Sequence, residues 1–270
     1  MSDKKQNFIS KILSLPNDDP KKTILVALLL CLVCSILVSA SAVIFKPLQE
    51  ANKSEDIKKN ILAVTGLLDE HTDINVLFDQ FEIKIVDLAT GEYADVDPTA
   101  YDQRKASRDP AQSIELTQQQ DIAGLSRRAN LAPVYLLKEN DQIKQVVLPI
   151  HGYGLWSTLY GFISLDDDFN TIGGLQFYAH AETPGLGGEV DNPKWRKQWQ
   201  GKKVFDEQGN VKIEVIRGHV DFKVAGAEHK VDGLSGATLT SRGVSNLVQY
   251  WLGDHGFGPY LNKMRAEVNK

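Results

Sequence analysis

The hydrophobic pattern opens with one long apolar run. Thr23 to Phe45 is 23 consecutive residues without a charge, a glycine or a proline, and about 20 such residues span a bilayer as a helix. Lys21 and Lys22 precede the run, and Lys46 and Pro47 follow it. The apolar core of a cleaved signal peptide is shorter, about 7–15 residues. The pattern therefore predicts a tail over residues 1–22, one transmembrane helix over 23–45 and a soluble domain over 46–270. The rest of the chain has no second such run. Helical spacing then sets in: Ile57, Ile61, Leu62, Val64 and Leu68 predict an amphipathic helix over Asn52 to Leu68. Alternation at Phe81–Ile85 predicts a strand closed by Thr90-Gly91. Residues 92–130 are polar and read as surface loops with a short helix.

Val134–Leu137 and Ile143–Ile150 flank Glu139-Asn140-Asp141 and predict a hairpin, and Leu159–Leu165 and Leu175–His180 predict two further strands. Asn192-Pro193 places a capping residue before proline at a helix start, so a helix is expected to about Trp199. Lys212–Ile216 alternates as a strand. After Thr240-Ser241, the positions Val244, Leu247, Val248 and Trp251 share one helical face that ends at Gly253. Strands and helices mix without a βαβ rhythm, so the expected class is α+β.

Composition narrows the function. The chain has 270 residues, 30 basic against 35 acidic, and a net charge of −5. With no basic excess, nucleic acid is not expected as a partner. Five Lys lie in residues 3–22 and four in 46–65, so the positive-inside count is nearly tied. Residues 46–270 carry a net charge of −7 and no cysteine, which suits an oxidising compartment. A cytoplasmic N-terminus and an exported soluble domain follow as the expectation. Cys31 and Cys34 form C-x-x-C inside the apolar run, where cysteine acts as a small hydrophobe. The six histidines show no metal-binding spacing, and Asp166-Asp167-Asp168 lacks the alternating ligands of a calcium loop. No resident metal is expected. Trp195 and Trp199, four apart, read as core or interface anchors.

Three glycine-rich loops carry the candidate chemistry: residues 151–157, residues 182–188 and residues 232–240. Glycine lets backbone approach a ligand closely. The third loop leads straight into a predicted helix, whose free N–H groups favour phosphate, and it offers the hydroxyls of Ser235, Thr238, Thr240 and Ser241. Thr240 or Ser241 is expected to cap that helix. There is no G-x-x-x-x-G-K-[ST], which argues against nucleotide hydrolysis.

Asp232-x-x-Ser235-Gly236-Ala237-Thr238 resembles the D-x-x-[ST]-G-A-T flavinylation motif of FMN-binding domains. Gly152-Tyr-Gly-Leu-Trp-Ser157, Glu182-Thr-Pro-Gly-Leu-Gly-Gly188 and Trp251-Leu-Gly-Asp-His-Gly-Phe-Gly-Pro-Tyr260 are similar to the NqrC family of Na⁺-translocating NADH:quinone oxidoreductases. The resemblance covers nearly the whole chain and is weakest over 92–130.

It implies an FMN-carrying electron-transfer subunit of a redox-driven Na⁺ pump that oxidises NADH and reduces ubiquinone. It also implies a single-pass protein of a bacterial inner membrane with a periplasmic domain. FMN would be held as a phosphoester on Thr238 by a flavin transferase, with no catalytic nucleophile in turnover. Ser235, Gly236 and Ala237 would hold its phosphate and ribityl chain, Thr183 and Leu186 would contact the ribityl chain or ring, and Leu155 and Trp156 would pack on the isoalloxazine. Asp232 would serve transferase recognition or its metal. The implied partners are the membrane and the flavin and iron–sulfur subunits of the complex. Two alternatives stay open: the RnfG protein of the Rnf ferredoxin–NAD complex, against which Gly154-Leu-Trp-Ser157 speaks, and a non-redox anchored module that binds a phosphate ligand.

Overall fold

The computed structural model describes residues 16, 17, 19–69 and 71–268. Most of the tail expected over 1–22 lies outside them. The chain divides into two units, residues 1–55 and 56–270.

The first helix, α1 (Pro20–Thr65), begins before the apolar run and continues through Pro47. A separate amphipathic helix was expected after the run; instead one helix carries both stretches. Proline in a helix interior has no N–H to donate four residues back. That one missing bond does not end the helix here. The apolar window of α1 is 0% buried and long enough to cross a membrane. Its last turns differ: Ile61, Leu62 and Val64 are fully or nearly buried.

Residues 56–268 form an α+β fold around a six-stranded antiparallel sheet. Its strands are β1 (Phe81–Asp87), β2 (Tyr93–Ala94), β5 (Leu131–Glu139), β6 (Gln142–Tyr153), β7 (Thr158–Asp166) and β8 (Ile172–Ala179). Their order is β2-β1-β5-β6-β7-β8. The predicted hairpin is β5–β6, with Asn140 and Asp141 at φ 51° and 61°. Two successive left-handed residues match the twist of a tight hairpin. The strands predicted for this sheet are all present, and each is longer than its apolar core.

The sheet is covered on both faces. Val146, Leu148 and Ile150 of β6 join one core cluster with Leu159, Ile163 and Leu165 of β7. Val147 and Phe162 point into a second cluster with Ile61, Leu62 and Val64 of α1. Ser164 donates a hydrogen bond to the Val64 carbonyl (2.8 Å), fixing the end of α1 on the sheet. Period-2 alternation explains the two faces, and burial on both explains why these strands read as near-continuous apolar runs.

The polar stretch 92–130 contains the short helix α3 (Gln103–Ala106) and a small hairpin, β3 (Ser113–Glu115) with β4 (Arg127–Ala129). A short helix, α2 (Ile74–Phe78), precedes β1. The helix expected at Asn192 is α4 (Pro193–Lys197), with the Asn192 side chain accepting from Lys194 N (3.0 Å). Trp195 and Trp199 are core residues, ring centroids 5.7 Å apart. The strand predicted over 212–216 is reduced to β9 (Glu214–Val215), paired in parallel with β10 (Lys230–Val231). Helix α5 (Thr238–Leu252) packs on the first cluster and is followed by α6 (Gly258–Val268), which local pattern did not predict. Cys31 and Cys34 are free and exposed on α1.

Candidate functional site

The three glycine-rich loops meet at the start of α5. The first is the turn between β6 and β7, closed by Gly154 N donating to the Ser157 carbonyl (2.8 Å). The second follows β8 and is fastened to the first by Ala181 N donating to Ser157 Oγ (2.7 Å). The third connects β10 to α5. A Cβ on Gly236, at φ +72°, would lie 3.0 Å from Leu186 Cδ2, so the second and third loops are in contact. A Cβ on Gly243 of α5 would lie 2.6 Å from the Tyr153 carbonyl and 3.0 Å from Gly154 Cα, so the first loop abuts α5 as well.

A buried carboxylate ties these loops together. Glu182 is 5% exposed. Its Oε1 accepts the backbone N–H groups of Leu155 (3.0 Å), Trp156 (2.9 Å) and Ser157 (3.4 Å). Its Oε2 accepts the Thr240 hydroxyl (2.7 Å). Burial pushes the Glu182 carboxyl up, but the Thr240 hydroxyl and the three N–H donors outweigh it and hold it below the usual carboxylate range. Two loop glycines are needed because this carboxylate passes over them. A Cβ on Gly154 would sit 2.6 Å from Oε1, and one on Gly187 2.6 Å from Oε2 and 2.5 Å from Thr240 Oγ1. Sequence pattern gives Glu182 no role of its own. Its only local sign is that a charged residue opens a glycine-rich loop.

The expected helix cap is corrected by this geometry. The N-cap position is Ala237, which has no side-chain cap bond. Thr240 is fully buried and spends its hydroxyl on Glu182. Ser241 accepts from Leu234 N (3.0 Å) and so closes the third loop on itself. The helix begins at Thr238, earlier than the apolar face suggested, directly after a turn closed by Ala237 N donating to the Leu234 carbonyl (3.1 Å).

Thr238 stands at the first helical position, exposed, with Ser235 and Gly236 exposed beside it and Ala237 buried. Thr183 is exposed, and its carbonyl accepts from Leu186 N (3.1 Å) and Gly188 N (2.9 Å). Leu155, Trp156 and Leu186 are large apolar side chains at the surface, Trp156 at 66% exposure. The residues singled out from the sequence therefore gather on one rim, where an uncapped helix start adjoins exposed aromatic and aliphatic surface. Asp232 is engaged within the fold. Its Oδ1 accepts from Val220 N (2.7 Å) and its Oδ2 pairs with His219 Nδ1 (2.9 Å). Trp195 Nε1 donates to the Asp232 carbonyl (2.8 Å), so the core holds the motif's first residue. Among the described residues no cluster of three or more His, Cys, Asp or Glu side chains could hold a metal ion.

Residues 154–253 match the FMN-binding domain, a span that runs from the first loop to the end of α5. The NqrC protein of the Vibrio anguillarum Na⁺-translocating NADH-quinone reductase is 50% identical over 250 residues, 92% of this chain and 96% of the relative. The chain belongs to the NqrC family. Its Pseudomonas aeruginosa relative is 48% identical over 90% of this chain and 95% of its own length. The crystal structure of Shewanella oneidensis NqrC superposes with a TM-score of 0.74 at 33% identity, covering 80% of this chain and 99% of that one. The Parabacteroides distasonis member gives 0.62 at 28% identity, covering 80% and 96%.

The residues present suit FMN. The uncapped first turn of α5 offers N–H groups to a phosphate. Gly236 is exposed at φ +72° against Leu186, and Trp156 presents an exposed aromatic side chain. The chain is a membrane-anchored flavoprotein subunit of a Na⁺-translocating NADH-quinone reductase.

Proposed function

We propose that this protein carries electrons on an FMN bound as a phosphoester to Thr238, in a periplasmic domain held at the bacterial inner membrane by α1. The observation that carries this reading is the exposed Thr238 hydroxyl at the first position of α5, on the rim where the three loops meet. Ser235, Gly236 and Ala237 line the approach to that turn and are assigned to the phosphate and ribityl chain. Thr183 and Leu186 are assigned to the ribityl chain or ring, and Leu155 and Trp156 to the ring face. The flavin, when bound, supplies the electron uptake and release; the protein supplies its placement. No side chain here acts as a nucleophile in turnover. A flavin transferase makes the link, and the flavin and iron–sulfur subunits of the complex are the exchange partners. The near-full-length likeness to NqrC proteins favours this complex over the Rnf alternative.

The test is a mass measurement on the full chain co-expressed with a flavin transferase. The unmodified sequence gains the mass of one FMN less one water, and Thr238→Ala loses that gain and its in-gel flavin fluorescence. Retained fluorescence in Thr238→Ala, with loss in Ser235→Ala or Thr240→Ala, would overturn the assignment.

A further inference from the structure

Glu182 is the most engaged buried charge near the site, and the assignments above leave it without a function. Its four hydrogen-bond partners belong to two structures that would hold opposite ends of a flavin. Three are consecutive backbone N–H groups of the turn presenting Leu155 and Trp156. The fourth is Thr240, two residues beyond Thr238 on the same first turn of α5. A carboxylate is the acceptor such a set requires, since it has no proton to place against an N–H and has lone pairs for several donors. A neutral side chain of the same shape would satisfy fewer of them. Burial also keeps the charge from being screened by water, so it acts at longer range than a surface carboxylate.

We infer that Glu182 is a positioning residue for the flavin: its carboxylate clamps the Leu155–Trp156 turn to the first turn of α5, and its negative charge lowers the flavin's midpoint potential. Each electron entering a flavin adds one negative charge, and a fixed anion behind the site opposes that gain. The carboxylate stays ionised near neutral pH because its four donors favour the charged form. Gly154 and Gly187 follow from the same device, since a side chain at either would displace the carboxylate.

This inference rests on FMN attachment at Thr238, and the experiment separates the two. The full chain, co-expressed with a flavin transferase and purified in detergent, is compared with Glu182→Gln, Glu182→Ala, Thr240→Val and Thr238→Ala. Flavin load is read by mass, flavin mobility by fluorescence anisotropy and midpoint potential by spectroelectrochemical titration. Glu182→Gln keeps the shape but removes the charge and one of the two acceptor oxygens, so its flavin stays attached and its potential moves positive. Glu182→Ala frees both segments, so anisotropy falls. Thr240→Val leaves the charge and cuts one arm of the clamp, so anisotropy falls without a positive shift in potential. An unmodified chain that carries no flavin, or a Thr238→Ala that still does, overturns the attachment reading. A loaded unmodified chain with Glu182→Gln at the same potential overturns the charge effect. Anisotropy in Thr240→Val and Glu182→Ala equal to that of the unmodified chain overturns the clamp. Should Glu182→Gln not fold, the Thr240→Val readings still decide the clamp, and Glu182→Asp, which keeps the charge, must keep the wild-type potential or the charge effect fails.

Discussion

At the scale of single residues, burial and partner decide what a hydroxyl or an imidazole does. Thr238 and Thr240 are both helical threonines two apart, yet one is exposed and the other fully buried against Glu182. Thr240→Ala leaves one carboxylate oxygen without its donor. A hydrogen bond to a charged group contributes about 1.5–3 kcal/mol, which exceeds the roughly 0.7 kcal/mol that alanine gains in helix propensity. Denaturant unfolding is therefore expected to show a net loss, with the flavin still attached at Thr238 by mass. His151 makes a different point. It lies between Tyr160 and Trp251, centroids 5.5 and 4.8 Å away. Burial, with the Arg104 cation nearby, lowers its pKa from 6.5 to about 4. Between those values the unfolded chain binds a proton that the folded chain refuses. The stability from a neutral His151 is thus whole above pH 6.5 and is lost as pH falls toward 4. His151→Phe cannot charge, so its melting temperature should fall less steeply across that window than the unmodified chain's; equal slopes would contradict this.

At the scale of elements, α5 is both a core helix and one wall of the site. Val244, Leu247, Val248 and Trp251 are fully buried, while Thr238 and Leu239 at its start face solvent. Gly243 lets the helix lie against the end of β6, and here two effects compete. Alanine in a helix gains about 1 kcal/mol over glycine. Its Cβ would meet the Tyr153 carbonyl at 2.6 Å, a backbone atom that cannot swing aside. Overpacking costs about 1–3 kcal/mol, and a fixed backbone contact sits at the upper end. Gly243→Ala should therefore lower the urea midpoint with little change in slope; a raised midpoint would mean that the turn moves freely.

For the whole molecule, the chain divides at residue 55, with the apolar run before the division and the body of the sheet and its helices after it. The apolar window of α1 is left uncovered by the rest of this chain and is long enough to cross a membrane. The body carries the site, and its side of the membrane decides which subunits reach the flavin. Alkaline phosphatase fused at the C-terminus should be active if the body is periplasmic. An inactive phosphatase with an active cytoplasmic reporter at the same point would reverse the orientation. The lysine counts of 5 and 4 on the two flanks do not settle the matter themselves.

The transmembrane run, the main sheet strands and α5 were legible in the sequence because each rests on a periodic pattern that burial imposes locally: an unbroken apolar stretch, alternation of two, or spacing of three and four. The motif Asp232-x-x-Ser-Gly-Ala-Thr238 and its two companion loops were legible for another reason. Glycines and hydroxyls are placed there by close approach, and close approach leaves a record in residue type. Helix α6 was not legible, and β9 only as a longer strand, since weak or brief patterns form only where a neighbour packs on them. Tertiary structure alone decided which hydroxyl closes a loop, which is buried and which is free. Thr240 and Glu182 lie 58 residues apart and meet at 2.7 Å. A contact between distant residues leaves no periodicity in either segment. The sequence thus determined which segments make up the candidate site. Folding determined that a buried carboxylate joins them.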